Sequence, residues 1–167
     1  MSTLPIYDFN PSSTLNDWYV VNDGVMGGLS QGRLELSEDG HGLFYGRVSL
    51  ENNGGFTSIR YPFGTKKVTG YTYLVLRVKG DGKRYQIRVK PKTSLYYSYI
   101  AYIETHGEWE TIRIPMREMY PVFRGNQLKL PNYEAEELQE IGILIGNKEA
   151  EEFRLEIDTV YLDTDKD

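Results

Sequence analysis

Residues 22–28 read NDGVMGG, with three glycines, one asparagine and one aspartate in seven positions. That density suits a loop whose backbone lies close to a bound group, and phosphate is the first candidate. A phosphate loop joins a strand to a helix, offers free N–H groups at the helix start and adds a lysine that reaches the phosphate. NDGVMGG has no lysine, and Gly24, Gly27 and Gly28 do not follow the G-x-G-x-x-G spacing of a dinucleotide fingerprint. The segment that follows, LSQGRLELSEDG, alternates like a strand and breaks at Gly32, so no helix opens there. The reading that remains is a tight loop needing backbone angles that glycine supplies without steric cost.

Other chemistries find little support. His41 and His106 are the only histidines and have no paired spacing, and cysteine is absent, which excludes disulfides, thiol nucleophiles and thiolate metal sites. No G-x-S-x-G nucleophile turn is present. With 24 acidic residues, a pair of carboxylates placed for glycoside hydrolysis carries no signal. Asp8 and Asp158 would meet if the first and last strands paired, but calcium takes about six to eight oxygens and two acids do not make a site. A polar cluster of Asp23, Glu51 and Arg60 would form only if two loops met. No cofactor, metal or catalytic constellation is therefore expected.

Two further segments suit binding. SLYYSYIAYIE is rich in tyrosine: in a strand, Tyr97 and Tyr99 share one face and Tyr96 and Tyr102 the other. Exposed rings of this kind, with Trp109, would stack on a sugar, whereas buried ones would fill a core with hydroxyls reaching the edge. GDGKRYQIRVKPK gathers Lys83, Arg84, Arg88, Lys90 and Lys92, the last three on one strand parity, where they would meet an anionic partner or simply face solvent.

The elements that must hold these residues are strands. Fourteen tyrosines, six phenylalanines and two tryptophans make 13% of the chain, and seventeen glycines supply turns. TYLVLRVKG places Leu74, Leu76 and Val78 opposite Arg77 and Lys79; RYQIRVK places Tyr85, Ile87 and Val89 opposite Gln86, Arg88 and Lys90. With FRLEIDTVYL and similar runs, they predict about nine to eleven short strands separated by NDG, EDGHG, NNGG, GDG and RGN, an all-β two-sheet sandwich or barrel. The one clear helix signal is PNYEAEELQEIG, whose early acids suit a helix N-terminus and predict a short helix near residues 133–140. A helical turn at MREMY is also consistent with the sequence. The 167 residues fit one domain, 1–167.

Several motifs coincide in order. Trp18 precedes NDGVMGGLSQG, followed by FYGRVSLENNGGFTSIR, LRVKGDGKRY, WETIRIPM with FRG, and IGILIG with FRLEIDTVYL. From about Tyr7 to Leu162 this order resembles the mitochondrial complex I intermediate-associated protein family, assembly factors for NADH:ubiquinone oxidoreductase with relatives in bacteria. The resemblance implies a galactose-binding-like jelly-roll sandwich and a non-enzymatic, chaperone-like role. It also implies a protein partner, such as a respiratory-complex subunit. The fold is shared with carbohydrate-binding modules, so a glycan ligand on Tyr96, Tyr97, Tyr99, Tyr102 and Trp109 stands as the alternative.

The candidate partner contacts are the two glycine loops: Asn22, Asp23, Met26 and Ser30 in the first, Glu51, Asn52, Asn53, Phe56 and Arg60 in and after the second. Met26 and Phe56 would supply apolar area; the alternative is that the loops only pack on each other. A net charge of −5 does not suit nucleic acid. No apolar run approaches the length of a membrane span, and the N-terminus shows neither a secretory signal nor an Arg- and Ser-rich transit segment. A cytoplasmic location is expected, reaching a membrane only through a partner.

Overall fold

The computed structural model describes residues 3–22, 29–51 and 55–164. Their strands are β1 (Thr3–Asp8), β2 (Tyr19–Asn22), β3 (Gln31–Leu36), β4 (Gly42–Val48), β5 (Thr57–Lys67), β6 (Tyr73–Lys79) and β7 (Arg84–Lys90). They continue with β8 (Ser98–Glu104), β9 (Trp109–Pro115), β10 (Tyr120–Phe123), β11 (Asn126–Gln127), β12 (Glu137–Ile145) and β13 (Glu151–Asp163). Two antiparallel sheets form a jelly-roll sandwich, one ordered β3-β4-β13-β6-β9 with β1 also on β13, the other β11-β10-β8-β7-β12-β5-β2. The long β13 organises the first sheet. β4 pairs with it through Glu151–Ile157 and β1 through Thr159–Asp163, while β6 covers Glu156–Asp163. Since β6 overlaps both partners, β4 and β1 lie end to end along the opposite edge.

Strand alternation builds the core. Phe44, Leu74, Leu76, Val78, Leu155 and Ile157 of one sheet are buried, as are Ile59, Tyr85, Ile87, Val89, Ile141 and Ile143 of the other. Each such side chain contributes about 1.5–3 kcal/mol relative to exposure. The alternations expected in β6 and β7 are therefore the observed ones.

The helix expected near residues 133–140 is absent. Residues 131–136 run as irregular chain, and Glu137–Ile145 is β12, hydrogen-bonded to β5 and β7. Ala135 has a φ of 55°, incompatible with a right-handed helix. Tyr133, Ala135 and Leu138 are buried, and the Tyr133 hydroxyl donates to the Glu137 carbonyl at 2.6 Å. Acids at a helix start contribute about 0.3–1 kcal/mol each. Burying Tyr133 and Leu138 outweighs that, with the β5 ladder in addition. MREMY does form one 3-10 turn, Met116–Glu118, closed by a hydrogen bond from the Met119 N–H to the Met116 carbonyl at 3.1 Å. Among the described residues no helix is long and apolar enough to cross a membrane.

At the β3–β4 pairing, Gly32 faces Gly46. A Cβ on Gly46 would stand 2.0 Å from the Gln31 carbonyl oxygen, and its φ of 153° disfavours L side chains. Gly46→Ala should therefore lower stability by about 1–3 kcal/mol in urea denaturation. Gly107→Ala, with nothing within 4 Å of the added atom, serves as the near-neutral control.

Candidate functional site

The first glycine motif starts at the meeting of the two sheets. Asn22 ends β2, and its side-chain oxygen accepts from the Gly32 N–H at 3.2 Å and from the Thr57 hydroxyl. It therefore ties edge strand β2 of the seven-stranded sheet to edge strand β3 of the other, beside β5. A Cβ on Gly32 would sit 2.1 Å from the Thr57 hydroxyl oxygen, so glycine is what lets the strands close. Ser30 is similarly committed: its hydroxyl donates to the Ser49 carbonyl at 3.2 Å and accepts from the Ser49 N–H at 2.9 Å. Asp23, Met26, Asn52 and Asn53 lie outside the described residues. Gly55 and Phe56 pass close to Gly146, at the end of β12. Glu51 is exposed at the rim of a cleft of about 500 Å³ lined by Leu29, Gln31, Arg47, Val48, Leu50 and neighbours. Leu29 and Leu50 are 52% and 45% exposed there.

Arg60 stands apart from that end. It faces outward from β5, on the side of the seven-stranded sheet away from the core. Across this face one row runs Tyr19, Arg60, Gly142, Arg88, Ile100, Tyr120 over six neighbouring strands. The next row places Glu140 between Pro62 and Lys90. Ile100 and Leu144 are buried on this side yet outside the main core, so the surrounding side chains of the face cover them. Gly142 opens the centre: a Cβ there would lie 3.6 Å from the Arg60 stem and 3.9 Å from that of Arg88.

The face has cations in excess around one buried acid, Glu140, whose charge opposes the shifts of both Arg88 and Lys90. Burial, and secondarily the charge of Arg60, push the Arg88 guanidinium down to about 10. Burial also lowers the Lys90 ammonium, with Glu140 opposing and both arginines reinforcing the shift. The Tyr19 phenol is raised by burial and by Glu140, toward which its hydroxyl points at 3.5 Å. Among the described residues no carboxylate comes within 4.0 Å of Arg60, Arg88 or Lys90. Arg88 is oriented by donating to the Gln86 side-chain oxygen at 2.8 Å, and Lys90 by donating to the Leu95 carbonyl at 2.8 Å. Sequence reading singled out Arg60, Arg88 and Lys90 but not Glu140, Gly142 or Tyr19. Strand alternation in EELQEIGILIG was the available signal for Glu140 and Gly142.

Three of the aromatic candidates, Tyr96, Tyr97 and Tyr99, follow one another in ring contact, but Tyr102 and Trp109 do not join them. Tyr99 points inward against Tyr133, ring centroids 5.3 Å apart. Tyr97 lies between Tyr96 and Tyr99, at 5.0 and 5.6 Å. Tyr96, 62% exposed, packs on Phe123, and Tyr102, 40% exposed, has the Arg84 guanidinium over its ring at 4.1 Å. Trp109 is on the other sheet, beside His41 at 4.5 Å and under Arg77 at 5.3 Å.

The acids considered for calcium have separate partners. Asp158 pairs with Arg77 at 3.3 Å and lies 3.9 Å from His41, while Asp8 accepts from the Thr159 hydroxyl. Among the described residues no group of three or more potential ligands gathers for a metal. Nor does an ion pair join Glu51 to Arg60 there.

Comparison with known proteins follows the fold and adds a lineage. Residues 7–157 match the family model of Complex I intermediate-associated protein 30 (CIA30). The chain is 28% identical over 189 residues to the mitochondrial complex I intermediate-associated protein 30 of Drosophila melanogaster, covering 96% of this chain and 62% of that protein. For the Mus musculus protein of the same description the figures are 25% over 186 residues, 96% and 56%. The chain thus spans little more than half the length of the curated relatives it matches. Among solved structures, the family 11 carbohydrate-binding module of a Clostridium thermocellum cellulosomal cellulase superposes with a TM-score of 0.70 at 13% identity, covering 99% of this chain and 96% of the module. A family 30 module gives 0.62 at 12% identity, covering 99% and 100%. At such identities the likeness concerns the fold alone.

The Asn22 junction yields a test. Asn22→Ala leaves the Gly32 N–H and the buried Thr57 hydroxyl without their acceptor. A loss of about 1–3 kcal/mol is expected in urea unfolding. An unchanged midpoint would mean that Asn22 does not hold the sheets together.

Proposed function

The chain belongs to the complex I intermediate-associated protein 30 family, and on that premise we propose that it is a non-catalytic jelly-roll domain that binds a protein partner during assembly of a respiratory complex. The match of residues 7–157 carries this reading. The relatives' names refer to intermediates of complex I, and assembly requires holding a subunit whose own interface is not yet satisfied. A sandwich suits that task, because Leu29 lies two residues before β3 and Leu50 two residues after β4, and ordered strands beside the contact residues lower the entropic cost of binding.

The contact region supported best is the cleft beside the two glycine motifs. Leu29 and Leu50 are exposed leucines there, and apolar area at the centre of a contact supplies most of its binding energy. Ser30 holds Ser49, which lines this cleft, through two hydrogen bonds. Glu51 and Arg47 line the cleft beside the leucines. Action at a membrane-bound complex then follows through the partner.

A glycan reading has one observation in its favour: Tyr96 and Tyr102 are both substantially exposed. Tyr99 turns inward onto Tyr133, Trp109 is on the other sheet and Arg84 covers the ring of Tyr102, which leaves no continuous stacking platform.

The experiment is an affinity pulldown of the tagged full chain from native membranes in mild detergent. Recovery of respiratory-complex subunits is expected. The Leu29→Asp/Leu50→Asp double variant should reduce that recovery at least tenfold. Exposed single substitutions usually change stability by only about 0.5 kcal/mol, so its thermal unfolding should stay close to that of the parent chain. Recovery of no respiratory subunit, with glycan-array binding lost in Tyr102→Ala, would favour the glycan reading instead.

A further inference from the structure

The outer face of the seven-stranded sheet is the feature that the proposed role leaves unused. Arg60, Arg88 and Lys90 gather there around one acid, Glu140, while Glu104, further along the same face, lies opposite Arg84, and the net charge of the chain is −5. Packing two guanidiniums near each other, with one of them largely out of water, costs free energy that the fold does not recover through an ion pair. Glu140, buried between Pro62 and Lys90, opposes part of this charge but leaves cations in excess, which points to an anion supplied from outside.

The geometry narrows that anion. Neighbouring strands lie about 4.8 Å apart, so Arg60 on β5 and Arg88 on β7 start about 10 Å apart across β12. Gly142 lies between them and has no side chain to fill the gap. A carboxylate above Gly142 would accept from both guanidinium forks, and charge-assisted bonds of this type are the strong ones. Gln86 already fixes one amino group of Arg88, which leaves its other donors directed elsewhere. Lys90, diagonal to Arg60 and one row on, offers a second cation for a second carboxylate. Glu140 stands between Lys90 and the edge of the sheet and repels densely charged phosphate more than singly charged carboxylates. Sugar stacking is disfavoured because the exposed aromatics of this face, Tyr19 and Tyr102, sit four strands apart and the ring of Tyr102 is already covered by Arg84 at 4.1 Å.

We propose that Arg60, Arg88 and Lys90, grouped around Gly142, form the receptor for the carboxylates of an extended acidic segment on the protein partner. This rests on the reading that the chain binds a protein, and it names the chemistry by which that partner is recognised.

The test is calorimetric titration of the full chain with hexaglutamate, and with hexaglutamine, trigalacturonate and inorganic phosphate as comparators. Hexaglutamate should bind at least tenfold tighter than each of these and should weaken as salt rises. Arg60→Gln and Lys90→Gln should each weaken hexaglutamate at least threefold and Arg88→Gln at least tenfold. Arg33→Gln, on the other sheet, should leave it unchanged. Glu140→Gln should tighten it, a response that a merely structural role for this face would not produce. If Arg88→Gln does not fold, the Arg60, Lys90 and Glu140 variants decide. Equal affinity for hexaglutamine, insensitivity to Arg60→Gln and Lys90→Gln, or tighter binding of trigalacturonate or phosphate would overturn the proposal. The two readings fail separately. If a pulldown recovers respiratory subunits undiminished by Arg60→Gln and Lys90→Gln, the acidic-segment receptor falls and the assembly role stands. Hexaglutamate binding with no respiratory subunit recovered leaves the receptor and removes the assembly role.

Discussion

The alternation of β7 and β12 is the constraint on which the rest depends. Tyr85, Ile87 and Val89, with Ile141 and Ile143, must face the opposite sheet to close the core. With a period of two, Gln86, Arg88 and Lys90, and Glu140, Gly142 and Leu144, have no choice but the outer face. The cation row is therefore the reverse side of the core. A one-residue slip in either strand would bury the charges and expose the isoleucines, so the arrangement of the face is held by the whole hydrophobic contribution of the sandwich. That is why a surface this shallow can still place side chains in fixed positions.

A second constraint acts where the sheets meet. Edge strands β2 and β3 belong to different sheets, and Asn22, Gly32 and Thr57 join them through one accepting oxygen. The glycine beside Thr57 and the glycine pair across β3 and β4 remove the Cβ atoms that would hold the strands apart. The NDG motif thus begins with a residue whose side chain is spent on the fold. Ser30, tied to Ser49, is the same case on the far side of the loop. Position in a motif and exposure are different properties: Asn22 opens the glycine motif and is part of the frame, whereas Leu29, which follows the motif, is exposed.

The strands and their inward faces were legible because alternation is a local property of sequence. In SLYYSYIAYIE the parity held within β8, with Tyr99, Ala101 and Ile103 inward and Ser98, Ile100 and Tyr102 outward. What failed was also local: the acids of PNYEAEELQEIG mimic a helix start, but Tyr133, Ala135 and Leu138 are claimed by the core and the chain turns through a left-handed Ala135. The candidate cation site was only half legible. Arg88 and Lys90 share a strand and announce themselves, but Arg60 joins them only because β12 inserts between β5 and β7. Strand order of that kind is set by non-local pairing, and no spacing in the chain records it.

Local rules are broken at few places in this structure, and where they are broken together carries information. Most polar strand residues here sit with a partner or in solvent, as at Arg77 with Asp158 and Arg113 with Asp163. Arg88 does neither: it is withdrawn from water, near a second guanidinium, with a neutral amide as its hydrogen-bond partner. Ile100 and Leu144, buried on the same face, give this guanidinium an apolar floor that raises the cost of its charge. Conflict between fold and charge at this row, in a sandwich otherwise consistent from propensity to packing, is what the proposed receptor for an acidic segment would leave on the free chain.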